Sequence, residues 1–252
     1  MMIEVLNIDL SFDRQDLRVL IPVVGGLIGF IIFWFTQQSE KLKHKFLDKY
    51  GTDLGYARFI MFTRYLGGFS MGVLPALAFF IAFPITTLSQ LGLGFNEKTF
   101  LTSILWIAGL SAVVIPLASF SARKPKHLVN YPQIRARKWD TKMILSNLAS
   151  WAIYLLGYEF LFRGVLFFPL VEEIGLWPAI AVNIGMYSGT HIPKGIEETI
   201  GAIILSIILC LLTVQTGTIW IAFFVHVAMA WTNTLTALKH NPDMKIVKNI
   251  NG

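Results

Sequence analysis

The chain has little charge and almost no cysteine, and both shortages exclude common classes of protein. Charged residues make up 14% of its 252 residues, against about 25% in an ordinary soluble domain. This shortage argues against a soluble enzyme, and the composition excludes a disordered chain, a collagen and a coiled coil. Because Cys210 is the only cysteine, an intrachain disulfide and a cysteine-rich metal site are excluded as well.

Several motifs with a known chemical role are also missing. The sequence has no HExxH, no serine nucleophile elbow and no glycine-rich phosphate loop. Its net charge is +6, but the basic residues stand in short loops between apolar stretches. That arrangement is typical of membrane topology, and it argues against nucleic acid as a partner.

Apolar residues are what the chain has in abundance. They form 55% of the sequence, and a membrane-spanning helix needs about 20 of them in succession. The sequence predicts an all-α polytopic membrane protein with about seven spans in one bundle, and an eighth only if the fourth stretch breaks. The predicted spans are 19–35, 59–83, 100–120, 143–171, 177–191, 197–213 and 217–238.

The charge of the loops predicts an orientation. Lysine and arginine are frequent in the loops after the first and third spans and in the C-terminal tail, whereas the 84–99 loop holds only Lys98 and the 172–176 turn holds Glu172 and Glu173. Basic loops stay in the cytoplasm. We therefore expect an integral protein of a bacterial inner membrane, with its N-terminus outside and its C-terminus in the cytoplasm.

Ionisable residues inside spans are costly, at about 2.5–3.5 kcal/mol each, and therefore mark functional positions. The last four spans contain Glu159, Arg163, His191 and His226, together with the amide Asn233. At 1.5 Å per residue, the glutamate and the first histidine lie at one depth in the cytoplasmic half, and the second histidine lies near the midplane. The depths predict one polar cavity that opens to the cytoplasm.

Each of these residues also has a structural explanation. Glu159 and Arg163 are four positions apart on a helix, which suits a buried ion pair. A histidine such as His226 can donate to a backbone carbonyl, and Asn233 can form a hydrogen bond between helices. Arg64, near the end of the second span, is interpreted as a side chain that reaches the interface.

Taken together, the residues predict hydrolysis by activated water. Glu159 and His191 could take a proton from water, with Arg163 orienting the glutamate, while His226 and Asn233 stabilise the oxyanion. Glu159, His191 and His226 could instead bind Zn²⁺ and leave one coordination position open. The residues alone leave both mechanisms open.

At these positions the sequence resembles the CAAX protease and bacteriocin-processing family, the type II CAAX-endopeptidase-like intramembrane proteases. That family carries a Glu-Glu-x-x-x-Arg motif, a Phe-x-x-x-His motif, and a histidine followed four residues later by asparagine. The resemblance covers about 143–235. The corresponding residues here are Tyr158, Glu159 and Arg163, then Tyr187 and His191, then His226 and Ala230.

The resemblance implies an endopeptidase that cleaves a peptide or protein, lipid-modified in the eponymous case, in contact with membrane lipid. With it we expect three N-terminal transmembrane helices and their basic cytoplasmic loops within 1–142, a catalytic core at 143–238 and a cytoplasmic tail at 239–252. Zinc is the one cofactor that these residues suggest.

Two of the sequence's departures from the family's motifs bear on the chemistry. Tyr158 replaces the first glutamate, which the family implies activates water together with the second-motif histidine, and Ala230 replaces the asparagine. Tyrosine is a poor base, with an ordinary pKa of about 10, so Glu159 would have to act as the base and Asn233 would have to supply the amide. The alternatives are an impaired member that acts as a binding, immunity or scaffold protein and, last, a small transporter, for which the repeat symmetry is missing.

Overall fold

The computed structural model describes residues 11–250, which are almost entirely helical. Residues 1–10, in the predicted outer N-terminus, and 251–252, in the predicted tail, lie outside this range. Two short strands, β1 (Lys138–Trp139) and β2 (Lys245–Ile246), pair in parallel. The α-helices are α1 (Leu17–Gln37), α2 (Glu40–Tyr50), α3 (Thr52–Gly68), α4 (Leu74–Ala82), α5 (Phe100–Ser121), α6 (Pro125–Leu128), α7 (Thr141–Glu159), α8 (Phe167–Ile174), α9 (Leu176–Gly189), α10 (Ile196–Thr216) and α11 (Trp220–His240).

Some helices join into longer rods. A π-helical turn at Phe69–Val73 links α3 to α4, and another at Phe160–Val165 continues α7 towards α8. Within residues 11–250, six rods are long and apolar enough to cross a membrane, which confirms an all-α polytopic membrane protein. They are Leu17–Gln37, Thr52–Ala82, Glu97–Ser121, Thr141–Ile174, Ile196–Thr216 and Trp220–His240.

The predicted count of seven long spans is wrong at the fifth one. The predicted span 177–191 forms α9, which has 14 residues and is therefore about 21 Å long. A membrane core is about 30 Å thick. The helix ends before Pro193, whose ring prevents the preceding residues from continuing as a helix. The rod Thr141–Ile174 is not interrupted, so no eighth span forms.

Lysine-rich segments gather at one end of the bundle, which we call the basic end. Helix α2 packs beside α3 there, and the Asp53 carboxylate accepts a hydrogen bond from the backbone N–H of Arg137 at 2.8 Å. The N–H of Lys245 donates to the carbonyl of Arg137, also at 2.8 Å. The loops that the sequence predicts to be cytoplasmic therefore share one end.

The other loops meet at the opposite end. Arg18 forms an ion pair with Glu173, with Nε and Oε1 2.6 Å apart, and so joins the start of α1 to the end of α8. The hydroxyl of Thr99 donates to the carbonyl of Thr216 at 2.8 Å. Helix α9 starts at this end and runs back into the bundle, where it stops short. Its position places the following residues inside the bundle.

Helices α3 and α7 approach each other closely at two glycines. A Cβ atom on Gly157 would lie 2.2 Å from the carbonyl oxygen of Gly68, a distance that only the absence of a side chain allows. Both rods change from α- to π-helix within a few residues of this contact. Turns of this kind often occur at functional sites, and here the second one begins directly after Glu159.

Arg64, interpreted from the sequence as a side chain that reaches the interface, is buried among protein side chains and contacts Gln133 in the loop after α6. Its residue is 2% exposed, and Nη1 donates to Oδ1 of Asn147 at 2.7 Å and to Oγ of Ser150 at 2.9 Å. Nη2 donates to Oε1 of Gln133 at 3.0 Å. The guanidinium also lies over the ring of Trp151, 3.9 Å from its centroid. These neighbours are polar or aromatic, and none of them is a carboxylate.

Candidate functional site

The last residue of α7, Glu159, lies at the centre of a buried polar cluster. Its Oε1 atom accepts a hydrogen bond from Nδ1 of His226 on α11 at 2.6 Å. Its Oε2 atom lies 3.6 Å from Nε of Arg163, one turn further along the same rod. The glutamate and the arginine are both 0% exposed. The structure therefore brings together three of the residues that the sequence singled out.

The far side of Arg163 is held by residues of the short helix α9. Nη1 donates to Oδ1 of Asn183 at 2.9 Å, and the guanidinium lies 4.4 Å from the ring centroid of Tyr187. The asparagine in turn donates to the carbonyl of Phe162 at 2.5 Å. Sequence reasoning missed Asn183, although an amide within the apolar stretch 177–191 was a signal that could have found it.

His191 is positioned by the first residues after α9. Its Nδ1 atom lies 3.0 Å from the carbonyl oxygen of Tyr187 and 3.1 Å from Oγ1 of Thr190. A carbonyl only accepts, so Nδ1 carries the hydrogen and the Nε2 lone pair stays free. Thr190, which the sequence reasoning also missed, contacts the hydroxyl of Tyr158 at 2.7 Å. One hydroxyl, that of Thr190, therefore lies between Tyr158 and His191 and contacts both.

Aromatic contacts connect the two histidines through one ring. The ring centroid of Tyr187 is 5.1 Å from that of His191 and 6.4 Å from that of His226. Tyr158 packs edge-on against His226, with centroids 5.7 Å apart. The two imidazoles and the two phenol rings therefore form one continuous wall.

A cavity of about 670 Å³ lies against this wall. Its lining includes Lys194 and Glu198, in the segment after His191. Glu159 and Arg163 are not part of the lining. Of the residues predicted for the site, the lining includes Tyr158, His191, His226 and Asn233.

Each histidine presents one nitrogen towards this cavity. The Nδ1 atom of His226 is bonded to Glu159, and that of His191 faces Tyr187. Neither Nε2 atom has a hydrogen-bond partner within residues 11–250, and neither is among the fully buried atoms that lack one. Because both rings line the cavity, both free nitrogens can contact a molecule inside it.

The structure does not bring Asn233 to the same level. It follows His226 by seven positions on α11, which corresponds to about 10.5 Å along the helix axis. The position one turn after the histidine is Ala230, which has no hydrogen-bonding side chain. His226 and Asn233 therefore line the same cavity about two helical turns apart.

The proposed zinc ligands do not form a metal site. Across residues 11–250, no three His, Cys, Asp or Glu side chains are grouped so that they could hold a metal ion. Glu159, which would have to be one ligand, has its carboxylate directed at His226 and Arg163 instead of into the cavity. The residues present do not fit a zinc centre made of Glu159, His191 and His226.

Comparison with known proteins agrees with the resemblance seen in the motifs. Residues 139–232 match the family model described as type II CAAX prenyl endopeptidase Rce1-like, and this range contains all three motifs. Searches among curated proteins and among solved structures found no match. The matching family consists of membrane proteases, whose substrates are peptides or proteins. Over this central region, the chain is similar to the Rce1-like family of type II CAAX prenyl endopeptidases.

Proposed function

We propose that the chain is an intramembrane endopeptidase in which His226, oriented by Glu159, activates water inside the cavity. The observation that carries the proposal is the 2.6 Å hydrogen bond between the two side chains, together with the free Nε2 atom of the histidine at the cavity wall. A buried carboxylate behind an imidazole selects the Nδ1–H tautomer and stabilises the imidazolium that forms when Nε2 accepts a proton.

The reaction can be written with these residues alone. Water donates one proton to Nε2 of His226 while its oxygen attacks the carbonyl carbon of the peptide. The tetrahedral intermediate then breaks at the C–N bond, and the imidazolium returns the proton to the leaving amine. Glu159 keeps its negative charge throughout, since Arg163 lies at its other oxygen.

His191 has a supporting role in this proposal. Its free Nε2 atom accepts the second hydrogen of the attacking water and so directs the oxygen lone pair at the substrate. Thr190 contacts Nδ1 of the ring at 3.1 Å and is itself held by the Tyr158 hydroxyl at 2.7 Å. This division of roles differs from the sequence-based hypothesis, in which Glu159 itself contacts water, because the carboxylate is sealed away from the cavity.

The test is cleavage by the purified full-length protein in detergent micelles. A pool of fluorescent peptides is incubated with wild type and with His226→Ala, and the products are identified by mass spectrometry. We expect specific cleavage by wild type and none by the variant. Equal cleavage by both proteins would refute the proposed role of the histidine.

A binding protein is the second candidate function, favoured by Tyr158. The tyrosine occupies a position on the cavity wall where the family carries a carboxylate, and its hydroxyl is already bonded to Thr190. In this version the cavity holds a peptide without cutting it. Complementation separates the two functions: a Glu159→Gln protein that retains the full wild-type phenotype would support binding alone.

The predicted localisation is also part of the proposal. We infer that the basic end faces the cytoplasm of a bacterial cell, because basic loops are retained on that side. The cavity would then receive its peptide from the cytoplasmic half of the membrane. Three further predictions belong to this proposal. They are the division of the chain at 142 and 238, the binding of a lipid-modified substrate and the binding of membrane lipid.

A further inference from the structure

The peptide oxygen that becomes negative during cleavage needs a hydrogen-bond donor in the cavity wall. Ala230, one turn after His226, has no such donor, and Asn233 lies about 10.5 Å further along the helix axis than the histidine. The guanidinium of Arg163 is not part of the cavity lining. A hydroxyl on a ring that contacts both histidines would be a closer donor.

Tyr187 carries such a hydroxyl. Its ring contacts the rings of His191 and His226, and the residue lines the cavity. Across residues 11–250 the hydroxyl has no hydrogen-bond partner, and it is not among the fully buried atoms that lack one. The oxygen therefore keeps some accessible surface, and the open space beside this residue is the cavity.

The two neighbouring hydroxyl groups are already used inside the protein. Thr190 donates its hydrogen to the carbonyl oxygen of Tyr187 at 2.8 Å. Since a hydroxyl has one hydrogen, the 2.7 Å contact between Tyr158 and Thr190 must be donated by the phenol. The hydrogen of Tyr187 is the one that stays available for a molecule in the cavity.

Packing fixes the ring that carries this hydroxyl. The guanidinium of Arg163 lies 4.4 Å from the ring centroid of Tyr187. Phe162 packs edge-on against the same ring, with centroids 5.2 Å apart and an angle of 85° between the planes. A donor that is held in place before the reaction stabilises a developing charge without the cost of reorganisation.

Two motif positions differ from the family in complementary ways. Tyr187 replaces the phenylalanine of the second motif, and Ala230 replaces the asparagine that follows the last histidine. The chain thus lacks an amide one turn after His226 and has an additional hydroxyl on a ring that contacts this histidine. Tyrosine is one of the side chains that can stabilise an oxyanion, so the gained hydroxyl can perform this task.

We propose that the hydroxyl of Tyr187 donates a hydrogen bond to the carbonyl oxygen of the scissile peptide bond and stabilises its negative charge. This inference rests on the proposed peptidase function and adds a catalytic residue to it. When the water oxygen bonds to the carbonyl carbon, one electron pair of the C=O bond moves onto the oxygen. The phenol keeps its proton, and the pair returns to form C=O when the C–N bond breaks.

Tyr187→Phe removes the hydroxyl and keeps the ring with its contacts. For a peptide that wild type cleaves, kcat should fall by about 100-fold, while KM should change little because the donor acts on the transition state. The matched control is Tyr56→Phe, at a partly buried phenol of α3 that is not part of the cavity lining. This variant should retain both kinetic constants.

A binding experiment tests the same hydroxyl without cleavage. Two matched pools of fluorescent octapeptides carry either a phosphinate or a ketomethylene group in place of the central peptide bond, and neither group can be hydrolysed. The phosphinate is tetrahedral and negative like the intermediate, whereas the ketomethylene group is planar and neutral. Binding to the full-length protein in detergent micelles is measured by fluorescence anisotropy. Tyr187→Phe should weaken binding of the phosphinate pool by about tenfold or more, since a hydrogen bond to a charge is lost, and should leave the ketomethylene pool unchanged.

Thermal unfolding in detergent shows whether the variant is folded and tests the premise. The hydroxyl of Tyr187 has no partner among the described residues, so its removal should leave the midpoint of unfolding unchanged. A clearly lower midpoint in Tyr187→Phe would mean that the hydroxyl is bonded inside the protein. It would then be unavailable to the peptide, and the proposal would be wrong.

The remaining outcomes separate this inference from the proposed function. Weaker phosphinate binding by Tyr187→Phe, without any cleavage by wild type, supports a hydroxyl that binds a negative oxygen and refutes the peptidase. Cleavage by wild type, with the same kcat and the same phosphinate binding in the variant, supports the peptidase and overturns the role of Tyr187. Equal weakening of both pools would show that the hydroxyl binds the uncleaved peptide, which also overturns the oxyanion role.

Discussion

The carboxylate of Glu159 accepts a hydrogen bond of 2.6 Å from Nδ1 of His226, a residue 67 positions further along the chain. The bond joins the end of α7 to the first half of α11 inside the bundle. It directs the glutamate away from the cavity and leaves the second nitrogen of the histidine facing it. The division of catalytic roles proposed above depends on this geometry.

Glu159→Gln should therefore lower the rate of cleavage by about 100-fold or more, because an amide can hold the wrong imidazole tautomer and cannot stabilise the imidazolium. The rate is measured with a cleaved peptide at saturating concentration. The matched control is Glu97→Gln at an exposed position of the opposite end, which should retain wild-type activity. A Glu159→Gln enzyme with the wild-type rate would contradict the proposal that Glu159 orients His226 for catalysis.

Chemical rescue tests the two histidines separately. His226→Ala should abolish cleavage, and added imidazole should restore part of it, since the vacated space opens onto a cavity of about 670 Å³. His191→Ala should retain a lower rate because the base is still present. His240→Ala is the control: its ring, on α11, is exposed and bonded to the carbonyl of Thr236. Full activity of His226→Ala without imidazole would be incompatible with its role as the base.

Tyr158→Phe tests the hydroxyl contact to Thr190. Loss of one buried hydrogen bond costs about 0.5–1.5 kcal/mol, and the orientation of His191 depends on this contact. We expect the cleavage rate to fall by several-fold while binding of the peptide is unchanged. Tyr65→Phe, at an exposed ring on α3, should leave both quantities as in wild type. An unchanged rate in Tyr158→Phe would show that the hydroxyl does not position the histidine.

The glycine contact between α3 and α7 predicts a difference in stability. Gly157→Ala would bring a Cβ atom to 2.2 Å from the backbone of Gly68, so the helices must separate, and overpacking of this kind costs about 1–3 kcal/mol or more. We expect a lower midpoint of thermal unfolding in detergent. Gly109→Ala, where no atom lies within 4 Å of the added methyl group, should not lower it. Equal midpoints would contradict the close approach.

The orientation can be measured with single cysteines. Cys210 is buried and is replaced by alanine, and a cysteine is introduced either at Lys45 near the basic end or at Glu97 near the opposite end. A membrane-impermeant maleimide added to intact cells should label Glu97→Cys and should not label Lys45→Cys. The reverse pattern would show that the basic end faces outwards, contrary to the positive-inside expectation.

The location of polar residues in the membrane could be predicted without coordinates, because insertion energy depends on composition and on local helical geometry. The spacing of Glu159 and Arg163 indicated an ion pair on one helix face, and their separation of 3.6 Å agrees with it. The same reasoning did not predict that α9 is too short to cross the membrane by itself. Such a short helix is stable inside the bundle because neighbouring helices cover it, and those contacts cannot be read from its own residues.

The sequence by itself determined that this chain lies in a membrane as a helical bundle, and that a few ionisable side chains are buried in it, because apolar composition and charge content govern transfer into lipid. The tertiary structure decided which of these side chains meet and which face the cavity. Glu159 turns towards His226 and Arg64 turns inwards because of packing between helices that are distant along the chain. Such contacts depend on how close two backbones approach, and local patterns of residues contain no measure of that distance.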